Sequence, residues 1–241
     1  MTASFLGFAA WSQRVAYRYR TLYVITLFIN VVAAISYFVM ATGFGDVIIR
    51  QSEHSLSSNR EFLVPRYIDW LITTPLLLLD LTLLAGLPVG EIIVVIFADI
   101  IMIVTGLIGA LHEDLKFRWG FFAFSVTALF YVYYALVGSA RSYAFVRSQK
   151  VGALYNKVSL GLIVIWGLYP IVWAFSEGTG KWTADTEVLA FAVLDVVAKV
   201  AWPIFIFSMT PDEGHVVLPE SLSAPLGGGY SALSQESREE A

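Results

Sequence analysis

Six ionisable residues sit inside apolar stretches of this sequence: Arg66, Asp69 and Asp80 in one, Asp99 in the next, and Asp195 with Lys199 in the last. A charge near the middle of a bilayer costs roughly 2.5–3.5 kcal/mol, so six oppose insertion by about 15–20 kcal/mol unless they pair or become neutral. A structural bundle tolerates one such group; six argue for function, and the chemistry that carboxyls and an amine share is proton transfer. Asp69 and Thr73 are four residues apart, hence on one helix face, with Arg66 a turn the other way. Asp80 lies eleven residues beyond Asp69, which is ~16 Å along a helix axis and back on nearly the same face. Asp195 and Lys199 are also four apart, and Lys199 lies twelve residues into a span that begins near Glu187. Should they converge, Asp69 and Asp195 against Arg66 and a protonated Lys199 form a neutral cluster, the arrangement in which buried charges tolerate one another. Asp80 and Asp99 are left without a cation, and burial favours the neutral acid for both. A line of carboxyls, some ionised and some protonated, is a layout for relaying protons. A Lys–Asp pair one turn apart also serves as a plain membrane salt bridge, so that pair alone leaves both readings open.

The elements that must hold these groups are membrane helices. The chain has 241 residues, is 58% hydrophobic and only 14% charged, with mean hydropathy +0.72; a soluble domain carries about 25% charged residues. A net charge of −4 without a basic tract excludes nucleic-acid binding. The absence of cysteine removes disulfides and thiol chemistry, and three scattered histidines, His54, His112 and His215, read as surface residues rather than a metal site. Apolar segments at 21–44, 63–87, 90–111, 119–140, 158–176 and 187–209 each approach the ~20 residues a spanning helix needs. The polar connections fall at 50–59, 87–90, 112–116, 141–157 and 177–185, short enough for antiparallel neighbours in one bundle. No strands are expected, because the segments are too long and lack alternation.

Residues 1–11 are apolar and followed by Arg14, Arg18 and Arg20, so that a helix of eleven to fourteen residues, 1–14 at most, fits there. Their ~16–21 Å reach as a helix falls short of the ~30 Å hydrocarbon core, so they read as a partial first helix. The expected division is therefore a transmembrane domain over 1–209 and a disordered tail over 210–241, rich in glycine and serine. The stretches 12–20 and 141–157 carry seven Lys and Arg against five in the alternate loops. That bias places those stretches, and with them the tail, on the cytoplasmic side of a multi-pass membrane protein.

At this point the motifs resemble those of the microbial (type 1) rhodopsins. Arg66-Tyr67-Ile68-Asp69-Trp70-Leu71-Ile72-Thr73-Thr74-Pro75 through Asp80 is similar to their third-helix motif, and Leu194-Asp195-Val196-Val197-Ala198-Lys199 to their seventh. Trp166-x-x-Tyr169-Pro170-x-x-Trp173 resembles the sixth helix, Asp99 through Gly106 the fourth, and Met40-Ala41-Thr42-Gly43 points to the fungal-type opsins. The resemblance runs from about Thr21 to Ser208. It implies an all-α bundle of seven transmembrane helices, the first truncated, in the cell membrane.

The resemblance also implies roles. Lys199 would bind all-trans retinal as a protonated Schiff base. Asp69 would be counterion and first proton acceptor, Asp195 the second counterion, and Thr73 would hydrogen-bond near Asp69. Arg66 would gate the outward path, Glu177 and Glu187 would form its release group, and Asp80, partnered by Thr26, would return the proton from inside. The retinal pocket would comprise Trp70, Thr74, Met102, Trp166, Tyr169 and Tyr37, with Ser125 and Asp99 near the ring end. Phe121-Phe122, Leu129 and Asn30 depart from the pattern, standing where a tryptophan pair, a methionine and a second-helix proline are common.

The implied activity is a light-driven outward proton pump, not an enzyme, with retinal, the lipid bilayer and the transported proton as partners; the resemblance also allows a homo-oligomer. A slow-cycling sensory photoreceptor signalling through a partner is the alternative, and an aspartate at 80 favours pumping over it. A light-gated channel is disfavoured because the second segment lacks a row of glutamates. A retinal-free structural or chaperone-like membrane protein is disfavoured by Lys199.

Overall fold

The computed structural model describes residues 20–50 and 59–204, preceded by Ser4, Leu6 and Gly7, which are helical. The rest of the expected partial helix over 1–14 and the tail over 210–241 lie outside the described residues. The order is α1 (Arg20–Ala41), β1 (Asp46–Arg50), β2 (Asn59–Leu63), α2 (Val64–Ala85), α3 (Val89–Leu111), α4 (Leu115–Arg147), α5 (Gln149–Gly178) and α6 (Ala184–Val196). Helix α6 continues through a π-helical segment, Val197–Ala201, and stays helical to Ile204. Segments of the same kind interrupt α4 at Leu136–Ala140 and end α5 at Ala174–Gly178. Among the described residues five helices, α1 to α5, are long and apolar enough to cross a membrane. The sixth carries Asp185, Glu187, Asp195 and Lys199 and depends on partners for its place.

Local chemistry sets the boundaries. Pro65 starts α2, where a missing N–H costs nothing, and Gly86 closes it in the left-handed conformation at φ 76°. The Asp114 side chain accepts from Lys116 N, Ser148 from Val151 N and Thr183 from Thr186 N, capping α4, α5 and α6. Helix α2 is the centre of the bundle: 56% of its apolar window is buried, against 22–33% in the other four spans. That is why α2 can carry Arg66, Asp69 and Asp80 within an apolar span.

Two expectations are corrected. The connection after the first span holds an antiparallel hairpin, β1 with β2, pairing Ile48 with Glu61 and Asp46 with Leu63. Val47, Ile48 and Ile49 are β-branched and suit a strand, and five residues are too few to register as a periodic pattern. The stretch 141–157 is not a connection but two helix ends, parted only at Ser148. Its polar residues occupy exposed helix faces, as where Arg141 Nε donates to Asn156 Oδ1 at 2.9 Å; polarity there marks a surface rather than a break. The C-terminal ends of α2 and α4 are joined as well: Arg147 Nη1 donates to Leu84 O at 2.6 Å, packed so closely that a Cβ on Gly86 would stand 2.7 Å from Arg147 Cδ.

Candidate functional site

Helix α2 presents Arg66, Asp69, Thr73 and Asp80 inward. Around Pro75, which leaves the helix short of an N–H, Thr73 Oγ1 donates to Asp69 O and Thr74 Oγ1 to Trp70 O, each at 2.8 Å. Thr73 thus bonds the main chain of Asp69, not its carboxyl. Thr74 Oγ1 also lies 2.8 Å from Asp99 Oδ2. Its single hydrogen serves one of these acceptors, so a neutral Asp99 donating to the hydroxyl completes the set.

The π-helical turn of α6 brings Lys199 against α2, 1% exposed. Its Nζ donates to Asp69 Oδ2 and lies 3.3 Å from Asp195 Oδ1. Asp195, fully buried, accepts from Tyr37 OH at 2.7 Å, Tyr169 OH at 2.8 Å and Trp70 Nε1 at 3.3 Å. Three neutral donors plus an ammonium share its charge.

The expected four-residue neutral cluster is corrected in one member: Arg66 does not pair with Asp69 or Asp195. It belongs to a second cluster toward the hairpin, where its Nη1 donates to Glu187 Oε1 at 2.5 Å and lies 3.8 Å from Glu177 Oε1. The guanidinium also sits 4.6 Å above the centre of the Phe191 ring. Glu177 and Glu187 are buried, at 1% and 2% exposure. Arg60 of β2, not anticipated from the sequence, pairs with Glu187 and donates through Nη1 to Ser176 O at 2.5 Å. Tyr67 OH donates to Glu177 Oε2 at 2.7 Å and accepts from Trp173 Nε1 at 2.8 Å. The outer cluster therefore has two arginines against two glutamates, leaving Lys199 alone between two aspartates.

Toward the other end of α2, Asp80 accepts from Thr26 Oγ1 at 3.3 Å, as the resemblance implies, and its Oδ1 is buried without a partner among the described residues. It faces a space of about 510 Å³ walled mainly by Leu22, Leu77, Leu81, Leu84, Val158 and Leu162, with Trp202 and Pro203. No cation of the described residues forms an ion pair with it.

Between these groups a larger space, about 740 Å³, has Lys199 and Asp195 in its lining and reaches α4. Of the expected pocket residues Trp70, Thr74, Met102, Ser125, Trp166 and Tyr169 line it. Tyr37 and Asp99 stand behind the wall, bonded to Asp195 and Thr74. Tyr67, Phe191 and Trp173 line it unanticipated; Leu129 and Phe122, two of the departures from the family pattern, line it as well, the Phe122 ring stacking on Trp173 at 4.5 Å and 13°. Apolar walls and one reactive amine describe a site for a long apolar molecule that an amine can capture.

Comparison with known proteins agrees. A family profile described as "Bacteriorhodopsin-like protein" matches residues 1–212. The opsin-like protein carO of Fusarium fujikuroi is 39% identical over 210 residues, covering 85% of this chain and 67% of that protein. A bacteriorhodopsin of Haloterrigena is 41% identical over 186 residues, covering 76% and 73%. Among solved structures, the light-driven proton pump LR (Mac) of Leptosphaeria maculans superposes with a TM-score of 0.83 at 33% identity, over 89% of this chain and 91% of that one. The bromide-bound halorhodopsin of Halobacterium salinarum gives 0.84 at 30% identity, over 90% and 91%. With that match over most of its length, and with a buried lysine held between two aspartates, the chain belongs to the bacteriorhodopsin-like family of microbial rhodopsins, multi-pass membrane proteins that bind retinal through a Schiff base.

Proposed function

We propose that the chain is a light-driven outward proton pump with all-trans retinal bound covalently at Lys199 Nζ. The observation that carries this is the position of Lys199: one carboxyl, Asp69, is bonded to it, and another, Asp80, lies along α2 with a hydroxyl partner and no cation. The residues present suit retinal. Lys199 Nζ would hold it, Trp70, Met102, Trp166 and Tyr169 would flank it, and Gly106 leaves room, since a Cβ there would stand 3.3 Å from Ser125 Oγ. When bound, retinal supplies light absorption and a change of shape.

Asp69 Oδ2 is placed to receive the proton from Lys199 Nζ, which neutralises both partners at once. With Asp69 neutral, Arg66 loses a nearby negative charge and its hold on Glu187 and Glu177 strengthens, which favours loss to the outside of a proton that those two carboxyls share at rest. Asp80, a neutral acid behind a hydrophobic wall, is placed to return a proton to Nζ from the face carrying the α4–α5 junction at Ser148. Two carboxyls of opposite resting protonation on either side of one amine give the direction. Because Asp69 already supplies the anion beside Lys199, the site leaves no place there for a transported halide.

Purified with all-trans retinal, the protein is expected to show a visible absorption band that Lys199→Ala abolishes; no band would overturn the retinal reading. Illuminated cells in weakly buffered medium are expected to acidify it, with the signal lost on adding a protonophore. A band without acidification, with a photocycle of seconds, is the result that a sensory photoreceptor gives.

A further inference from the structure

Asn30 is a fully buried amide in an otherwise apolar stretch of α1. Its Nδ2 donates to Thr26 O and to Lys199 O, both at 2.9 Å, and its Oδ1 accepts from Ser4 Oγ at 2.8 Å. Only the nitrogen end can meet two carbonyls, so the orientation of the amide is fixed by its partners. The need for a donor at Lys199 O is written in the sequence. In an α-helix that carbonyl is served by the N–H four residues on, and residue 203 is proline, which has none. Thr26 in turn is the residue whose hydroxyl donates to Asp80. One side chain therefore joins the main chain of the reactive lysine to the residue that holds Asp80, across two helices. An apolar residue would avoid burying an amide in the span, and a π-helical turn could leave Lys199 O to solvent or to a main-chain donor; neither alternative links α6 to Thr26.

We propose that Asn30 is a positioning residue that couples the Lys199-bearing turn of α6 to the Thr26–Asp80 pair, so that movement of the lysine backbone is transmitted to the Asp80 carboxyl. The proposal rests on the reading of Asp80 as the inner proton donor. It requires both amide hydrogens, one on each carbonyl.

The test follows the return of the proton to Lys199 Nζ after a flash, in the full chain with retinal in lipid. Asn30→Leu is expected to keep the visible band and slow that step about tenfold, the size that coupled neighbours reach. In an Asp80→Asn background, itself slow, Asn30→Leu should add no further slowing, whereas a merely structural role would slow both backgrounds alike. Asn30→Leu/Pro203→Ala gives Lys199 O a main-chain donor without the link to α1. It is expected to recover any loss of folding or of the band while the slow return persists, and a wild-type rate in this double variant would overturn the proposal. An unchanged rate in Asn30→Leu, with Asp80→Asn slow, would overturn it too. If Asp80→Asn itself returns the proton at the wild-type rate, it is the pump reading of Asp80 that fails, a distinct result.

Discussion

Arg66 turns away from Asp69, one turn along the same helix, and donates to Glu187 at 2.5 Å, while Lys199 takes the Asp69 carboxyl. The buried charges thus divide into an inner group, Lys199 with Asp69 and Asp195, and an outer group, Arg60 and Arg66 with Glu177 and Glu187.

The outer group sets two paired arginines, with the buried Arg118 near Glu177 as well, against two glutamates, so removing a glutamate strands buried cations. Glu187→Gln leaves Arg60 and Arg66 facing Glu177 alone, and breaking a buried pair in this way costs about 3–5 kcal/mol. The midpoint of thermal bleaching is expected to fall by several degrees, with the absorption band itself little moved because Glu187 does not line the retinal site. A shifted band with an unchanged midpoint would contradict the division into two groups.

Asp80→Asn removes the one acid among the described residues that faces the aliphatic space beside Thr26. Return of the proton to Lys199 Nζ should slow by at least about a hundredfold, within the range general acid catalysis contributes, and should become proportional to the external proton concentration. Flash kinetics at a series of pH values check this; a pH-independent return at the original rate would remove Asp80 as donor.

Gly161 of α5 lies against Trp202, so close that an added Cβ would meet Trp202 Cη2 at 2.0 Å. Because Trp202 borders the space around Asp80, Gly161→Ala must move that ring. Overpacking of this kind costs about 1–3 kcal/mol, and both the thermal midpoint and the proton-return rate are expected to change. Gly167→Ala, where a Cβ would meet only Tyr133 OH at 3.8 Å, is the control expected to be near neutral.

On the hairpin, Asp46 and Glu61 are diagonal neighbours across β1 and β2. A hydrogen bond with Asp46, and then its charge, raise the Glu61 carboxyl above the usual glutamate range. A carboxyl raised in the folded state binds its proton more tightly there than in the unfolded chain. Its stabilisation is full below the usual range and fades as pH rises through the raised value. The group is exposed, so the effect is about 0.2–0.5 kcal/mol. Hydrogen exchange of the β1 and β2 amides, corrected for intrinsic rate, should show protection increasing as pH falls through that window, and Asp46→Asn should flatten the trend.

The spacing of Asp69, Asp195 and Lys199 was legible because a charge in an apolar run stands out and a four-residue interval fixes a helix face. The Thr26–Asp80 bond was legible only through the resemblance. Arg60 was not, since it lies in a polar stretch where an arginine has no contrast, and its burial depends on Glu187 from the far end of the chain. The same long-range dependence hid the burial of Glu177 and the exclusion of Arg66 from the inner group. The fold was readable as helices, but a five-residue strand and a helix running past its apolar part to Arg147 leave no hydropathy signal.

The polarity of α6 bears on how the chain is assembled. Alone, a segment with Glu187, Asp195 and Lys199 partitions poorly into lipid, since each midplane charge costs roughly 2.5–3.5 kcal/mol. Its neutralising partners, Arg60, Arg66 and Asp69, are synthesised far earlier and wait on the hairpin and α2. The last span therefore enters the bilayer as a docking event against a preformed template. Substitutions on α2 that look like pump defects should also show up as failed biogenesis, with the last helix left outside the membrane.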